Sequence, residues 1–199
     1  MAAEPVHPYV SRGGVKLRHA LDEFGVDVAG LVCADLGCST GGFTDCLLQA
    51  GARHVYAVDT GYGVLAWKLR QDPRVTVIER ANALHTRPRE RVDLVTIDLG
   101  WTPQRLCIPA ALRWLAEDGR IITLIKPHYE AEKMEGAKVA RGGVLSEEEA
   151  ARITDTVLGQ MPELGVRVLG VTKSPILGSK GASRGNVEYL ALVERGIRH

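Results

Sequence analysis

Short apolar runs alternate with amphipathic segments along most of the chain, and glycine, proline or acidic residues bound each run. Continuous apolar runs of this length are typical of strands that are buried on both faces. They predict strands over 31–36, 54–58, 75–78, 92–97, 120–125, 166–172 and 187–193. Apolar residues spaced three or four apart predict helices over 14–24, 42–50, 64–70, 103–115 and 146–161. The stretch 129–145 is rich in Glu, Lys and Gly and is predicted to be a mobile loop.

The alternation of strands and helices predicts an α/β fold with a doubly wound, mostly parallel sheet. No helix is predicted between the last two strands, so we expect them to pair as an antiparallel hairpin at the C-terminal edge. Right-handed crossovers place the C-terminal ends of the parallel strands on one side, where we expect the ligand site. The length of 199 residues predicts a single domain over 1–199, with an N-terminal arm over 1–13.

Composition narrows the functional classes. The 25 Lys and Arg residues nearly balance the 24 Asp and Glu residues, which argues against nucleic-acid binding by net charge alone. The chain has no apolar run of membrane-spanning length and no secretory signal, so we expect a cytoplasmic protein without membrane contact. The cysteines lack metal-ligand spacing, which predicts buried, reduced thiols and no metal site. They are Cys33, Cys38, Cys46 and Cys107.

A glycine-rich segment follows the first predicted strand and opens a helix. Glycines allow a sharp turn and a close approach to a ligand, and the N–H groups of a helix start bind carboxylate or phosphate. The spacing is not G-x-G-x-x-G and no Walker lysine follows, which argues against nicotinamide cofactors and nucleoside triphosphates. The candidate cofactor residues here are Asp35, Gly37, Ser39, Thr40, Gly41, Gly42 and Phe43.

Two polar residues after the next strands extend this candidate site. Asp59 ends the second strand, where a carboxylate binds a ribose diol in such folds. Asn82 follows the third strand and is expected beside an adenine ring, or else is an ordinary loop residue. S-adenosylmethionine has an ammonium group for Asp35 and a ribose for Asp59, so it is the predicted cofactor. The corresponding product is S-adenosylhomocysteine. The alternative is a tight glycine turn in which Asp35 only caps the helix.

Several separate strings then point to a family. They are Tyr-Val-Ser-Arg-Gly-Gly-Val-Lys-Leu (9–17), Ala-Asp-Leu-Gly-Cys-Ser-Thr-Gly-Gly-Phe-Thr-Asp (34–45), Val-Tyr-Ala-Val-Asp (55–59), Leu-Ile-Lys-Pro-His-Tyr-Glu (124–130) and Gly-Asn-Val-Glu-Tyr-Leu (185–190). In this order they resemble the FtsJ-like RNA 2′-O-methyltransferases, within them the haemolysin A-type (TlyA) branch. The resemblance implies a Rossmann-like, S-adenosylmethionine-dependent fold and methyl transfer to a ribose 2′-hydroxyl of RNA.

The resemblance also implies a catalytic tetrad of Lys16, Asp98, Lys126 and Glu188. Asp98 and Lys126 end the fourth and fifth predicted strands, and Asp98 is also expected to contact the cofactor. Lys126 would take the hydroxyl proton or stabilise the alkoxide, Asp98 would steer Lys126, and the other two would hold the reacting groups. Burial lowers the pKa of a lysine and a neighbouring carboxylate raises it, so the sequence leaves the sum for Lys126 open. By sequence alone, Lys16 also fits a solvated helix face and Glu188 an outward strand position.

Two basic stretches without acidic residues, 5–21 and 164–187, flank the tetrad residues near the two ends of the chain. They predict a basic rim that binds an RNA backbone, with ribosomal RNA or ribosomal subunits as the expected partner, or else ordinary solvated surface. Trp101 follows Asp98 closely. It either stacks on the target base or packs under the next helix.

Two differences from the haemolysin A-type branch bear on the substrate. That branch usually carries an S4-like RNA-binding domain before the 9–17 string, whereas only eight residues precede Tyr9 here. Asp98 is followed by Leu-Gly-Trp where the branch usually has Val-Ser-Phe. We therefore expect the chain to lack the S4-like domain, with room for a partner protein in its place. Two alternatives stay open: a small-molecule O-methyltransferase, and a non-catalytic RNA-binding or assembly factor that retains the fold.

Overall fold

The computed structural model describes residues 7–134, 144–178 and 185–196. Within these residues, seven strands form one sheet in the order β3-β2-β1-β4-β5-β7-β6. The strands are β1 (Val32–Leu36), β2 (His54–Val58), β3 (Val75–Ile78), β4 (Val92–Ile97), β5 (Leu115–Ile125), β6 (Val166–Lys173) and β7 (Tyr189–Arg195). The helices are α1 (Gly13–Phe24), α2 (Gly42–Gln49), α3 (Trp67–Arg70), α4 (Gln104–Trp114), α5 (Pro127–Ala131) and α6 (Glu147–Gln160), with a 3₁₀ turn at Met161–Leu164.

The first five strands are parallel, and β7 runs antiparallel between β5 and β6. The predicted α/β fold with an antiparallel edge hairpin is therefore confirmed. The strand order reverses between β1 and β4, which is the position at which open α/β sheets bind ligands. Every residue of β1 is buried, because helices cover both faces of the sheet.

Two hydrophobic layers hold the sheet. On one face, Leu17 of α1 and Leu47 of α2 pack against inward residues of the central strands. On the other face, Trp114 of α4 and Val157 of α6 cover the alternate residues of the same strands. α1 also contacts α2, so the segment that carries Lys16 lies directly over the glycine-rich loop.

Four predicted boundaries were wrong. The helix predicted from 64 begins at Trp67. β5 begins at Leu115 rather than 120, because Leu115 is buried and pairs with Val92 of β4. β7 begins at Tyr189, so Glu188 precedes the strand. The predicted loop over 129–145 begins with part of a helix: α5 starts at Pro127, a residue that favours the first helical turn. Residues 135–143 of that predicted loop lie outside the described part of the chain.

The four cysteines belong to the interior of the fold. All four cysteines are buried and free, and burial raises the pKa of the Cys33 thiol to about 12. Across residues 7–134, 144–178 and 185–196, no helix is long and apolar enough to cross a bilayer. The same residues contain no group of three or more His, Cys, Asp or Glu side chains that could hold a metal ion.

Candidate active site

Two adjoining cavities lie at the C-terminal edge of the parallel strands. The first, of about 470 Å³, lies between the glycine-rich loop and the start of α1. The second, of about 440 Å³, is lined by residues that follow β2, β3 and β4. Gly37, Ser39 and Asp98 line both cavities, so the two form one elongated cleft where the strand order reverses. Both volumes fall within the range of small-ligand sites.

The glycine-rich loop is fixed against the end of β4. Gly37 has a φ of 91°, and a Cβ there would lie 2.6 Å from the carbonyl oxygen of Asp98. Only glycine fits such a conformation and such a close approach without strain. The Gly37 N–H donates to the carbonyl of Val58 at 2.9 Å, and the Asp98 N–H donates to the carbonyl of Leu36 at 3.0 Å. The floor of the cleft is therefore tied to three strands.

Most of the candidate cofactor residues line the cleft. Asp59 accepts hydrogen bonds from the N–H groups of Ser39, at 2.8 Å, and Gly61, at 2.7 Å, which joins two loops across the second cavity. Asn82 Oδ1 accepts a hydrogen bond from the N–H of Leu84, which leaves its side-chain NH₂ group as a donor. The cavity-lining candidates are Gly37, Ser39, Thr40, Gly42, Phe43, Asp59, Asn82 and Asp98.

Asp35 and Gly41 line neither cavity. Asp35 is fully buried, and its two oxygens accept hydrogen bonds from the hydroxyls of Thr44, at 2.7 Å, and Thr96, at 3.1 Å. Burial raises its pKa to about 7. The expected direct contact of Asp35 with a ligand ammonium is therefore corrected: its side chain points under the cleft and ties α2 to the sheet. Gly41, with a φ of 103°, packs against the side chains of Leu65 and Leu69 instead.

The four proposed catalytic side chains form two ion pairs at the junction of the cavities. Lys126 Nζ lies 2.5 Å from Asp98 Oδ1, and Lys16 Nζ lies 2.5 Å from Glu188 Oε2. Lys16 and Asp98 line the first cavity, and Lys126 and Asp98 line the second. Both Lys16 and Glu188 are buried, so neither the solvated position considered for Lys16 nor the outward position considered for Glu188 is found.

The charge state of Lys126 follows from its neighbours. Burial by itself lowers the pKa of this lysine, but the charge of Asp98, its hydrogen bond and smaller contributions from Glu188 and Tyr129 together outweigh burial. The pKa of Lys126 is therefore raised above its ordinary value. Lys126 is an ammonium ion at neutral pH. The influence of Glu188 on it also couples the two ion pairs.

The segment 174–178, which was not predicted to be functional, leaves room for the side chain of Glu188. The Ser174 N–H donates to the carbonyl of Glu188 at 2.9 Å, and the Gly178 N–H donates to the carbonyl of Asn186 at 2.9 Å. A Cβ at Gly178 would collide with Glu188 Oε1. Arg12, which lines the first cavity, donates to the carbonyl of Leu177 at 2.6 Å. The 174–178 segment thus connects Glu188 to the start of α1.

An aromatic pair stands beside Lys126. Trp101 is 60% exposed, so the interpretation that it packs under the next helix was wrong. Its ring centroid lies 4.4 Å from that of Tyr129, and Lys126 Nζ lies 5.8 Å from the Tyr129 centroid. Tyr129 was not identified from the sequence, because a helix of only five residues leaves no periodic signal.

Several residues of the predicted basic rim are neutralised by acidic neighbours. Arg18, Arg167 and Lys173 are each paired with a carboxylate, which offsets their charge. Lys180 and Arg184, also part of that prediction, lie outside the described residues.

Residues 9–193 match the family described as FtsJ-like methyltransferase. The chain belongs to this family. Over 185 residues it is 45% identical to the 16S/23S rRNA (cytidine-2′-O)-methyltransferase TlyA of Mycobacterium tuberculosis, covering 91% of this chain and 66% of the relative. It is 38% identical to Hemolysin A of Brachyspira hyodysenteriae, covering 92% of this chain and 75% of the relative.

A solved structure agrees with this assignment. A protein from Streptococcus thermophilus that carries the name hemolysin superposes with a TM-score of 0.88 at 36% identity, covering 98% of this chain and 70% of that one. The family resemblance predicted from the sequence is thus confirmed. The chain spans about two thirds of the length of the TlyA relative.

Proposed function

We propose that this chain is an S-adenosylmethionine-dependent enzyme that methylates a ribose 2′-hydroxyl of RNA, with ribosomal RNA as the substrate class. The observation that carries the proposal is the Lys126–Asp98 ion pair at the junction of two cavities. The second cavity fits a nucleoside cofactor. The ammonium group of Lys126 lies where an acceptor hydroxyl would meet that cofactor. The M. tuberculosis relative is named for this activity on rRNA cytidines.

The residues of the cleft fit S-adenosylmethionine. Asp59 in the second cavity offers carboxylate oxygens to a ribose diol, and the Asn82 amide offers a donor to an adenine edge. The N–H groups at the start of α2 suit the carboxylate of a methionine moiety. A Cβ at Gly37 would collide with the carbonyl oxygen of Asp98, so glycine is needed at this point of the cleft wall. When bound, this cofactor supplies a methyl group on a positively charged sulfur.

The chain contributes orientation and charge. Because its pKa is raised, Lys126 carries a proton at neutral pH, which favours stabilisation of the developing alkoxide over removal of the hydroxyl proton. Asp98 fixes the ammonium in place, and the Lys16–Glu188 pair supplies a second donor and acceptor beside it. Orientation of two reactants can supply up to ~7–11 kcal/mol of the barrier.

Exposed aromatic and basic side chains support RNA over a small substrate. Trp101 offers an exposed ring that contacts Tyr129, the aromatic neighbour of Lys126. Tyr62 is 67% exposed, and the guanidinium of Arg80 lies 4.2 Å from its ring centroid. Trp67, nearby in sequence, is also exposed. Exposed rings and a guanidinium stacked on one of them are the means by which proteins hold unstacked nucleotides.

Calorimetry and methyl transfer test the proposal. S-adenosylmethionine should bind the purified chain, and its labelled methyl group should appear in ribosomal RNA, offered both free and as isolated subunits. Lys126→Ala and Asp98→Ala should abolish transfer, whereas Arg152→Ala, an exposed change within α6 that lines neither cavity, should retain it. Absence of cofactor binding at millimolar concentration would reject the cofactor, and equal transfer by all variants would reject the assigned roles.

A further inference from the structure

Behind the cleft, a buried carboxylate joins the two segments that carry Asp98 and Lys126. Glu130 of α5 is 6% exposed, and its Oε1 accepts a hydrogen bond from the backbone N–H of Gln104 at 2.8 Å. Lys126 precedes the first residue of α5, and its carbonyl accepts the N–H of Glu130 at 3.1 Å. Glu130 therefore lies one helical turn after Lys126 and holds the far end of the loop that starts at Asp98.

Gln104 makes a second connection to the same place. Its buried side chain accepts a hydrogen bond from the Thr123 hydroxyl at 2.8 Å and donates one to the carbonyl of Leu124 at 3.2 Å. Both partners lie at the end of β5, just before Lys126. The first residue of α4 is thus bonded to β5 by its side chain and to α5 by its backbone.

The start of α4 needs this support. Pro103 occupies the N-cap position and provides no side-chain cap. A carboxylate at a helix N-terminus satisfies a free N–H group and interacts favourably with the helix dipole. The preceding loop contains Trp101, whose φ of 59° is a costly conformation that persists only where its surroundings hold it.

We propose that Glu130 and Gln104 form a brace that fixes the spacing of Asp98 and Lys126 and the placement of Trp101, so that Glu130 is a positioning residue for methyl transfer. The proposal rests on the function proposed above. It extends the catalytic unit to a residue that lines neither cavity of the cleft.

The protonation state of Glu130 changes the strength of the brace. Burial raises the pKa of Glu130 to about 7, while the Gln104 hydrogen bond and Arg105 act in the opposite direction. The other titratable groups facing it are Cys107 of α4 and Lys133 just beyond α5, and the α6 residues beside it, Thr156 and Gln160, are uncharged. An ionised carboxylate is the stronger acceptor, so the brace tightens as pH rises through about 7.

Four variants test the brace: Glu130→Ala, Glu130→Gln, Gln104→Ala and, as control, Glu132→Gln. Misplacement of reacting groups lowers turnover, so Glu130→Ala and Gln104→Ala should each reduce kcat by about tenfold or more. The Kd for S-adenosylmethionine should stay within about twofold, because Asp98 is the one cofactor candidate that depends on the brace and the others are held by separate contacts. Wild-type activity should rise between pH 6 and pH 8 as Glu130 ionises. Glu130→Gln keeps an acceptor oxygen and should retain most of kcat, but its activity should not show this rise. Glu132→Gln should match wild type throughout.

Amide hydrogen exchange provides a readout that does not depend on activity. In Glu130→Ala, exchange over 99–107 should accelerate while β1, β2 and β3 keep their protection. Unchanged exchange and unchanged kcat would overturn the brace, and so would a parallel loss of cofactor binding, kcat and melting temperature. Absence of methyl transfer by the wild-type protein would instead reject the proposed function, and exchange over 99–107 would still decide the brace.

Discussion

Lys16 Nζ and Glu188 Oε2 lie 2.5 Å apart, although 172 residues separate them in the chain. Lys16 belongs to the first helix, and Glu188 directly precedes the last strand. β7 lies in the sheet between β5 and β6, and this position brings Glu188 to Lys16. The ion pair therefore joins the two ends of the chain at the site.

Loss of one partner of this buried pair should be costly. Lys16→Met leaves the Glu188 carboxylate buried without its partner, so the free energy of unfolding should fall by about 3–5 kcal/mol in urea denaturation. Asp22→Asn removes the exposed Arg18–Asp22 pair and should change stability by less than about 1 kcal/mol. Equal effects of the two substitutions would contradict the structural importance of the buried pair.

The space beside Glu188 makes a second prediction. Gly178→Ala places a methyl group against the Glu188 carboxylate, so it should displace that carboxylate from Lys16 and reduce methyl transfer. Gly159→Ala in α6 meets open space and should stabilise the protein by roughly 0.5–1 kcal/mol through helix propensity, with activity unchanged. Full activity in Gly178→Ala would show that the position of Glu188 does not matter.

A third prediction concerns the proton on Lys126. In Asp98→Asn the carboxylate no longer opposes burial, so the pKa of Lys126 should fall relative to wild type. NMR titration of the lysine side-chain carbons measures the shift directly. Asp118→Asn, an exposed change within β5, should leave the titration of Lys126 as in wild type. A Lys126 pKa that is the same in Asp98→Asn and wild type would mean that Asp98 does not raise the pKa of Lys126.

Stability should also depend on Glu130 in a defined pH window. Burial raises its pKa from 4.5 to about 7, so between these values the folded protein holds a proton that the unfolded chain has lost. The resulting stabilisation is complete below the unfolded pKa and disappears as pH rises through about 7. The free energy of unfolding of wild type minus that of Glu130→Gln should therefore fall from pH 5 to pH 8 in urea denaturation. A difference that stays constant or rises would contradict the raised pKa.

The sequence was sufficient to predict the site residues that follow the C-terminal ends of parallel strands. Asp59, Asp98 and Lys126 were predicted at one edge because parallel strands bring their C-terminal ends together, and the structure places all three along the cleft. Asp35 departs from this rule because it precedes the last residue of β1, and its side chain faces Thr44 and Thr96 in the interior.

The features that were missed depend on contacts distant in sequence. The role of Gly178 appears only when Glu188 lies against it, and no local pattern encodes that approach. Glu130 likewise looks like an ordinary acidic residue in a polar stretch until α5 brings it to the start of α4. Helical periodicity could not reveal α5, because five residues make little more than one turn.

The activity proposed for this chain is methyl transfer to an RNA ribose by the unit that contains Lys126. The most direct measurement incubates the chain with S-adenosylmethionine and ribosomal RNA, free and in subunits, and maps ribose methyl groups by their resistance to alkaline cleavage. New alkali-resistant positions should appear with the wild-type chain and none with Lys126→Ala. Methyl groups found only on bases, or resistant positions that persist in Lys126→Ala, would contradict it.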